Sequence, residues 1–212
     1  MKNLFIGGSS ELAIQIAKDT TNTYNLSRKK NKFYSKNFIV KNYSGYELKK
    51  IFRKLLKFKF NNILIFNGHF IPSTLSGFDE DDLNKMVNIN LKTPLIISKL
   101  CLDNKIIENN GCIYFISSLA AKKPAIGNAL YAITKNSLNF ANKIFYLEQK
   151  KRNIRFNIIS LGIIKNKMGK YLINSIPMLR NNKKNFSKLN IIKNKIKKIL
   201  QSKKFNGKNF YI

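Results

Sequence analysis

Residues 4–13 read Leu4-Phe5-Ile6-Gly7-Gly8-Ser9-Ser10-Glu11-Leu12-Ala13. A short apolar run enters a glycine-rich turn, and helical spacing follows over residues 10–19. Such a turn lets backbone N–H groups and the positive end of a helix meet a phosphate. An ordinary strand-to-helix turn with Ser10 as N-cap accounts for the same residues. The apolar run is continuous rather than alternating, as in strands covered on both faces of a parallel sheet.

The pattern repeats along the chain. Further continuous runs are Ile63-Leu64-Ile65-Phe66, Cys112-Ile113-Tyr114-Phe115-Ile116, Phe156-Asn157-Ile158-Ile159 and Phe210-Tyr211-Ile212, with weaker strands at about 23–27 and 37–41. Between them lie helical stretches: 45–59 with Leu48, Ile51, Leu55 and Phe58, then 91–107 and 129–151. Alternating strand and helix predicts an α/β domain with a parallel sheet. One connection is too short. From Arg28 to Asn37 there is no room for the usual crossover helix, so a loop or a single turn is expected.

The chain has 212 residues, enough for one domain, and ten acids face forty bases for a net charge of +30. Such a surplus suggests nucleic acid or an anionic surface. Base composition competes as its cause: 35 Lys, 30 Asn and 30 Ile against two Val is a set favoured by AT-rich codons. Two cysteines, Cys101 and Cys112, exclude a disulfide scaffold, and no CxxC pair suggests zinc. The only histidine, His69, excludes a His-rich metal site, so no metal is expected. The first apolar run is too short for a signal peptide, and no segment reaches the length needed to span a bilayer. A reducing cytoplasm and no membrane are the expectation.

Tyr131-Ala132-Ile133-Thr134-Lys135 puts a phenol and an ammonium on one helix face at i, i+4. A nearby cation favours phenolate, so Lys135 is expected to lower the Tyr131 pKa. Spacing alone selects nothing, because Tyr46/Lys50 and Tyr146/Lys150 share it. What separates Tyr131 is Ser118, thirteen residues earlier and just past the strand at 112–116. The residues thirteen before Tyr46 and Tyr146 are Phe33 and Ile133, which carry no hydroxyl.

In this order the motifs resemble the short-chain dehydrogenase/reductase family. Residues 7–13 look like its T-G-x-x-x-G-x-G turn, and Asn67-Gly68-His69 sits where the family has N-N-A-G. Asn90-Leu91, expected to open a helix, takes the place of its catalytic Asn. Ser118, Tyr131 and Lys135 match its Ser–Tyr–Lys set, Leu161-Gly162 its P-G turn, and Phe205-Asn206-Gly207 its closing y-x-G. The resemblance implies one Rossmann-like doubly wound domain over residues 1–212, with about seven parallel strands and helices on both faces. Several positions depart from the pattern: Glu11 and Ala13 replace two glycines, Ile6 the Thr, His69 a Gly and Leu161 the Pro. The catalytic positions are intact, so the chain reads as an active, atypical short member.

The resemblance implies a cofactor and roles. Gly7, Ser9, Ser10, Leu12, Arg28, Asn42, Tyr43, Asn67, Gly68, Gly162 and Ile164, with Tyr131 and Lys135, would hold a nicotinamide dinucleotide. An acid after the second strand would bind the ribose 2′-hydroxyl and favour NAD. Asn25-Leu26-Ser27-Arg28-Lys29-Lys30 has none, and Arg28 suits a 2′-phosphate, so NADP(H) is expected over NAD(H). Tyr131 would exchange a proton with the oxygen of a small-molecule carbonyl/alcohol substrate, Lys135 would hold the ribose, Ser118 would orient the carbonyl and Asn90 would support a water relay.

Two other readings stand beside this oxidoreductase: an NADP(H)-binding protein without turnover, and, more weakly, a basic nucleic-acid-binding protein. Apolar residues on several sides of the helices at 91–107 and 129–151 predict a homodimer or homotetramer: Leu95, Ile96, Leu100 and Ile106, then Leu138, Phe140, Ile144, Phe145 and Leu147. Residues 163–200 correspond to the family's substrate-binding segment. They hold Lys165, Lys167, Lys170, Arg180, Lys183, Lys184, Lys188, Lys193, Lys195, Lys197 and Lys198 without an acid. That charge raises the prospect of an anionic substrate.

Overall fold

The computed structural model of the chain describes residues 1–176, 179 and 186–212. The strands are β1 (Asn3–Ile6), β2 (Thr23–Ser27), β3 (Lys36–Ile39), β4 (Phe60–Ile65), β5 (Ile107–Ser118), β6 (Arg155–Leu161) and β7 (Asn209–Tyr211). They form one sheet in the order β3-β2-β1-β4-β5-β6-β7, parallel throughout. The order reverses direction between β1 and β4. In such sheets a crevice opens beyond the carboxyl ends of the strands at the reversal, where ligands bind.

Helices α1 (Glu11–Lys18), α2 (Gly45–Leu55), α3 (Glu80–Val87), α4 (Thr93–Asp103), α5 (Ala129–Gln149), α6 (Lys167–Ser175) and α7 (Leu189–Gln201) complete the fold. On one sheet face, Leu48, Phe52 and Leu55 of α2, Ile97 and Cys101 of α4 and Leu138 of α5 bury against Leu4, Ile63, Phe115 and Phe156. On the other, Leu12 and Ile16 of α1 and Ile192, Ile196 and Leu200 of α7 cover Phe5, Leu64 and Tyr114. With both faces covered, the strands needed continuous apolar runs.

Local chemistry sets the helix starts. Ser10, Ser44 and Asp79 each accept a hydrogen bond from the amide three residues on. Asp79-Glu80-Asp81-Asp82 thus caps α3 and lays acids along its first turn, where they suit the helix dipole.

The short β2–β3 connection is a loop, as its length required. Tyr34 does the packing a crossover helix would do: it is buried on the α1 face, its ring meets Phe5 edge-on at 6.0 Å, and its hydroxyl donates to Gly8 O at 2.6 Å. The side-chain amide of Asn25 donates to Asn37 Oδ1 at 2.8 Å and to Lys29 O at 3.1 Å, tying the loop to both strands.

Three expectations are corrected. Asn90 does not open a helix. It lies in a π-helical turn, Asn88–Lys92, joining α3 to α4, and α4 begins at Thr93 with Pro94 in its first turn. Pro94 has no N–H to donate, which a wider turn before it tolerates. Second, the apolar residues expected on outer faces separate. Leu100 and Ile106 are buried, Leu95 and Ile96 pack on the core, and Ile107 already belongs to β5. Leu138 is buried and Phe145 packs beside it, so only α5 keeps an exposed apolar set, with Ile133, Phe140, Ile144 and Leu147. Third, the described parts of residues 163–200 do not lie together over the cleft. α6 packs there, whereas α7 lies on α1 behind the sheet, with Lys193 paired to Asp19 at 2.6 Å.

Candidate active site

The crevice at the sheet reversal is floored by the ends of β1, β4 and β5. Gly7 has φ +73°, and its N–H donates to Leu26 O at 2.8 Å. A Cβ there would come within 3.2 Å of the Asn67 amide, so the left-handed conformation and the close approach both require glycine. Gly8 is held by Tyr34 from the opposite side: an added Cβ would lie 2.4 Å from Asn25 Oδ1. Ser10 Oγ is engaged in capping α1, Ser9 and Glu11 are exposed, and the Leu12 side chain is buried in the core. Leu12 therefore has only its backbone to offer a ligand, and Glu11 turns its charge outward.

Tyr43 joins the rest of the expected cofactor set. Its hydroxyl donates to Leu26 O at 3.5 Å. Burial raises its pKa, while a hydrogen bond with the Asn67 side chain, the Arg28 charge and the Gly7 amide act the other way. Gly7, Arg28, Tyr43 and Asn67 thus share one location. Asn67 Oδ1 is buried with no hydrogen-bond partner, an orphaned acceptor facing no protein donor. Asn42 is less available, since its Oδ1 accepts from the Ser44 amide and helps begin α2. Ile164 is buried among core residues, and the Gly162 N–H donates to Ile212 O.

Ser118 ends β5, and Tyr131 lies in the first turn of α5. The Ser118 hydroxyl accepts from the Ala120 amide at 3.2 Å and lies close enough to Tyr131 to favour its phenolate. Lys135, one turn further on, is buried, with Nζ 2.9 Å from Ile116 O, 3.5 Å from Asn67 O and 5.9 Å from the centre of the Tyr131 ring. Burial lowers the Lys135 pKa to about 8. The expected fall in the Tyr131 pKa is corrected: it is raised, because burial outweighs the nearby Ser118 hydroxyl that favours phenolate. The Lys135 ammonium is directed to two carbonyls instead.

Asn90 is fully buried and grips its neighbour's backbone. Its Oδ1 accepts from the His69 amide at 2.7 Å, and its Nδ2 donates to His69 O at 2.9 Å and Thr134 Oγ1 at 3.1 Å. The π turn puts this amide under the β4–α3 loop. The half-buried His69 side chain has its pKa lowered, first by desolvation and then by Lys85, with Asp82 opposing.

Residue-type reasoning missed three supporting groups. Thr134, within the Tyr131–Lys135 turn, bonds Leu130 O and receives Asn90. Phe70 packs edge-on against Tyr131 at 5.4 Å. Ser73 holds the start of α5, its Oγ accepting from the Leu130 amide at 3.2 Å and its carbonyl from the Ala129 amide at 3.0 Å. Thr134 could have been noticed because its neighbours at i−3 and i+1 were already singled out; nothing in the local sequence marks Ser73.

Among the described residues, no group of three or more His, Cys, Asp or Glu could hold a metal ion, and no helix is long and apolar enough to cross a membrane. Of the basic tail, Lys165, Lys167 and Lys170 are exposed on and beside α6. Lys188, Lys193, Lys195, Lys197 and Lys198 accompany α7, away from the cleft. Arg180, Lys183 and Lys184 lie outside the described residues.

The arrangement can be compared with known proteins. The family model described as short chain dehydrogenase matches residues 46–176. Dehydrogenase/reductase SDR family member 4 of Pongo abelii is 29% identical over 113 residues, covering 52% of this chain and 41% of that protein. The chain spans about two fifths of the length of the curated relatives it matches first. A short chain dehydrogenase family protein from Francisella tularensis superposes with a TM-score of 0.85 at 16% identity, covering 100% of this chain and 96% of that one. ElxO with NADP bound superposes at 0.82 and 20% identity over the same shares of the two chains.

Proposed function

The chain belongs to the short chain dehydrogenase family, and from that premise we propose that it is an NADP(H)-dependent oxidoreductase interconverting a carbonyl compound and its alcohol. The observation that carries the reading is the buried Tyr131 phenol, with the Ser118 hydroxyl close enough to favour its phenolate and Lys135 one turn away. The residues suit a dinucleotide: a glycine turn no Cβ could enter without shifting its neighbours, an orphaned Asn67 oxygen, and a basic Arg28 where an acid would select the 2′-hydroxyl. When bound, the cofactor supplies or accepts the hydride.

The chain's own residues do the remainder. Ser118 holds the substrate oxygen beside the Tyr131 hydroxyl. Burial keeps that phenol protonated, so it can donate its proton to the oxygen of a carbonyl being reduced. Lys135, charged below about pH 8, adds positive potential on the same helix face. Asn90 fixes the His69 backbone and thereby the loop beside Lys135. Arg28 and the NADP bound to one structural neighbour support NADP(H) over NAD(H). The exposed apolar set on α5 supports a homodimer or homotetramer, and the free thiols of Cys101 and Cys112 suit a reducing cytoplasm.

Tyr131→Phe keeps the ring and removes the proton. NADPH consumption over a panel of carbonyl compounds should fall by about 10²–10⁴ while NADPH affinity changes little. Near-normal turnover in the variant would refute the assignment. NADPH binding without turnover of any carbonyl by the wild type would favour the non-catalytic binding protein.

A further inference from the structure

Three segments meet beside the Tyr131 ring. Ser73 pairs with Asn128, which joins the loop after β4 to the loop before α5. Ile176, at the end of α6, lies where a Cβ on Gly127 would be 3.5 Å away. Leu172 and Ile176 then pack with Phe70, Leu130 and Tyr131 in one apolar cluster. Three rings run outward in a chain. Tyr131, 8% exposed, meets Phe70, 3% exposed, and Phe70 meets Tyr171 edge-on at 6.0 Å. Tyr171 is 52% exposed.

The same segments leave large apolar side chains in water: Leu75 is 85% exposed, Ile126 75% and Met168 41%. Single exposed apolar residues are ordinary, but several on converging segments mark a place that an apolar partner covers. The α6 lysines do not contribute to this wall. Lys167 and Lys170 are exposed, while Leu172, Ile173 and Ile176 turn inward. The lysines of α7 lie by α1, away from this wall.

We propose that the substrate is apolar: a ketone or aldehyde, or the matching alcohol, whose aromatic or aliphatic substituent lies along Phe70 and Tyr171 while its oxygen meets Tyr131. Tyr171 is the specificity-determining residue. This rests on the reading of Ser118, Tyr131 and Lys135 as a carbonyl-reducing site, and its rival is the anionic substrate expected from the lysine count. Burying a methylene against such a wall should raise kcat/KM about fourfold.

The test uses the whole chain with NADPH. Rates are measured for methyl ketones of increasing chain length, for acetophenone and 2-acetylnaphthalene, and for 2-oxo acids matched in length. Binding of 2-acetylnaphthalene is followed separately by its fluorescence. Wild type, Tyr171→Phe and the exposed control Lys170→Ala should show the rise with length and prefer neutral to anionic substrates. Tyr171→Ala should flatten the series and weaken naphthyl ketone binding about tenfold. A flat series in the wild type, faster 2-oxo acids, or an unchanged Tyr171→Ala overturns the proposal while leaving a reductase in place. Naphthyl ketone binding that depends on Tyr171, with no carbonyl turned over, keeps the apolar site and sinks the reductase reading.

Discussion

Lys135 is a charge buried in the core of a marginally stable fold, and replacing it should stabilise the protein in a pH-dependent way. Its pKa is about 8 against an ordinary 10.5. Between those values the unfolded chain binds the proton and the folded chain does not, so wild-type stability rises with pH across that window. Below it the folded protein bears the whole penalty, about 3 kcal/mol. Lys135→Met keeps much of the packing and removes the charge, but leaves Ile116 O and Asn67 O without the ammonium, at about 1–3 kcal/mol. That second cost does not vary with pH. The stability difference between variant and wild type, from urea unfolding, should thus shift by about 2 kcal/mol in the wild type's favour from about pH 7 to about pH 9.5. This range stays below the raised titration of Tyr131. Every other titrating group is common to both proteins and cancels. A difference that stays constant over the range would mean that Lys135 titrates like a solvated lysine.

Other substitutions probe the remaining elements. Arg28→Ala should narrow a preference for NADPH over NADH of at least about tenfold, since a charge-assisted hydrogen bond contributes about 1.5–3 kcal/mol; equal affinities in the wild type, measured by fluorescence titration, would show Arg28 to be merely solvated. Asn90→Ala strips partners from both the amide and the carbonyl of His69 and should cost about 2–4 kcal/mol in chemical denaturation, whereas loss within experimental error would show the loop holds itself. Phe140→Lys with Leu147→Lys places charges in the exposed apolar set of α5 and should yield a 24.5 kDa species in sedimentation at micromolar concentration; an unchanged oligomer would put the interface elsewhere.

The sheet was legible because its strands are covered on both faces, which forces continuous runs such as Ile63–Phe66 and Cys112–Ile116. The Ser118, Tyr131 and Lys135 spacing was equally legible, because a strand end and a helix face fix where each side chain points. Properties that depend on tertiary surroundings were not. Local sequence cannot show that Leu95 and Ile96 turn inward while Phe140 turns out, since both helices carry apolar residues at mixed spacing. Nor could it show that burial, rather than Lys135, governs the Tyr131 proton. The lysine-rich tail is legible only in part for a related reason: charge density along a chain does not say which helix faces the cleft, and the lysines of α7 lie by α1 instead.

The loop that replaces a crossover helix has a consequence for how the molecule opens. β3 borders only β2; its approach is anchored by the Asn25, Asn31 and Asn37 amides and the Tyr34 ring, and Phe38 and Val40 bury in the cluster that holds α2. Paired on one side alone, this edge should form the weakest cooperative unit of the sheet, exchanging its amide hydrogens through openings that leave β4, β5 and β6 intact. Arg28 stands at the start of that loop and Tyr43 just beyond β3. The discrimination proposed for Arg28 thus rests on the part of the sheet expected to open first, and a dinucleotide held by both residues would protect it in proportion to its free concentration over its dissociation constant.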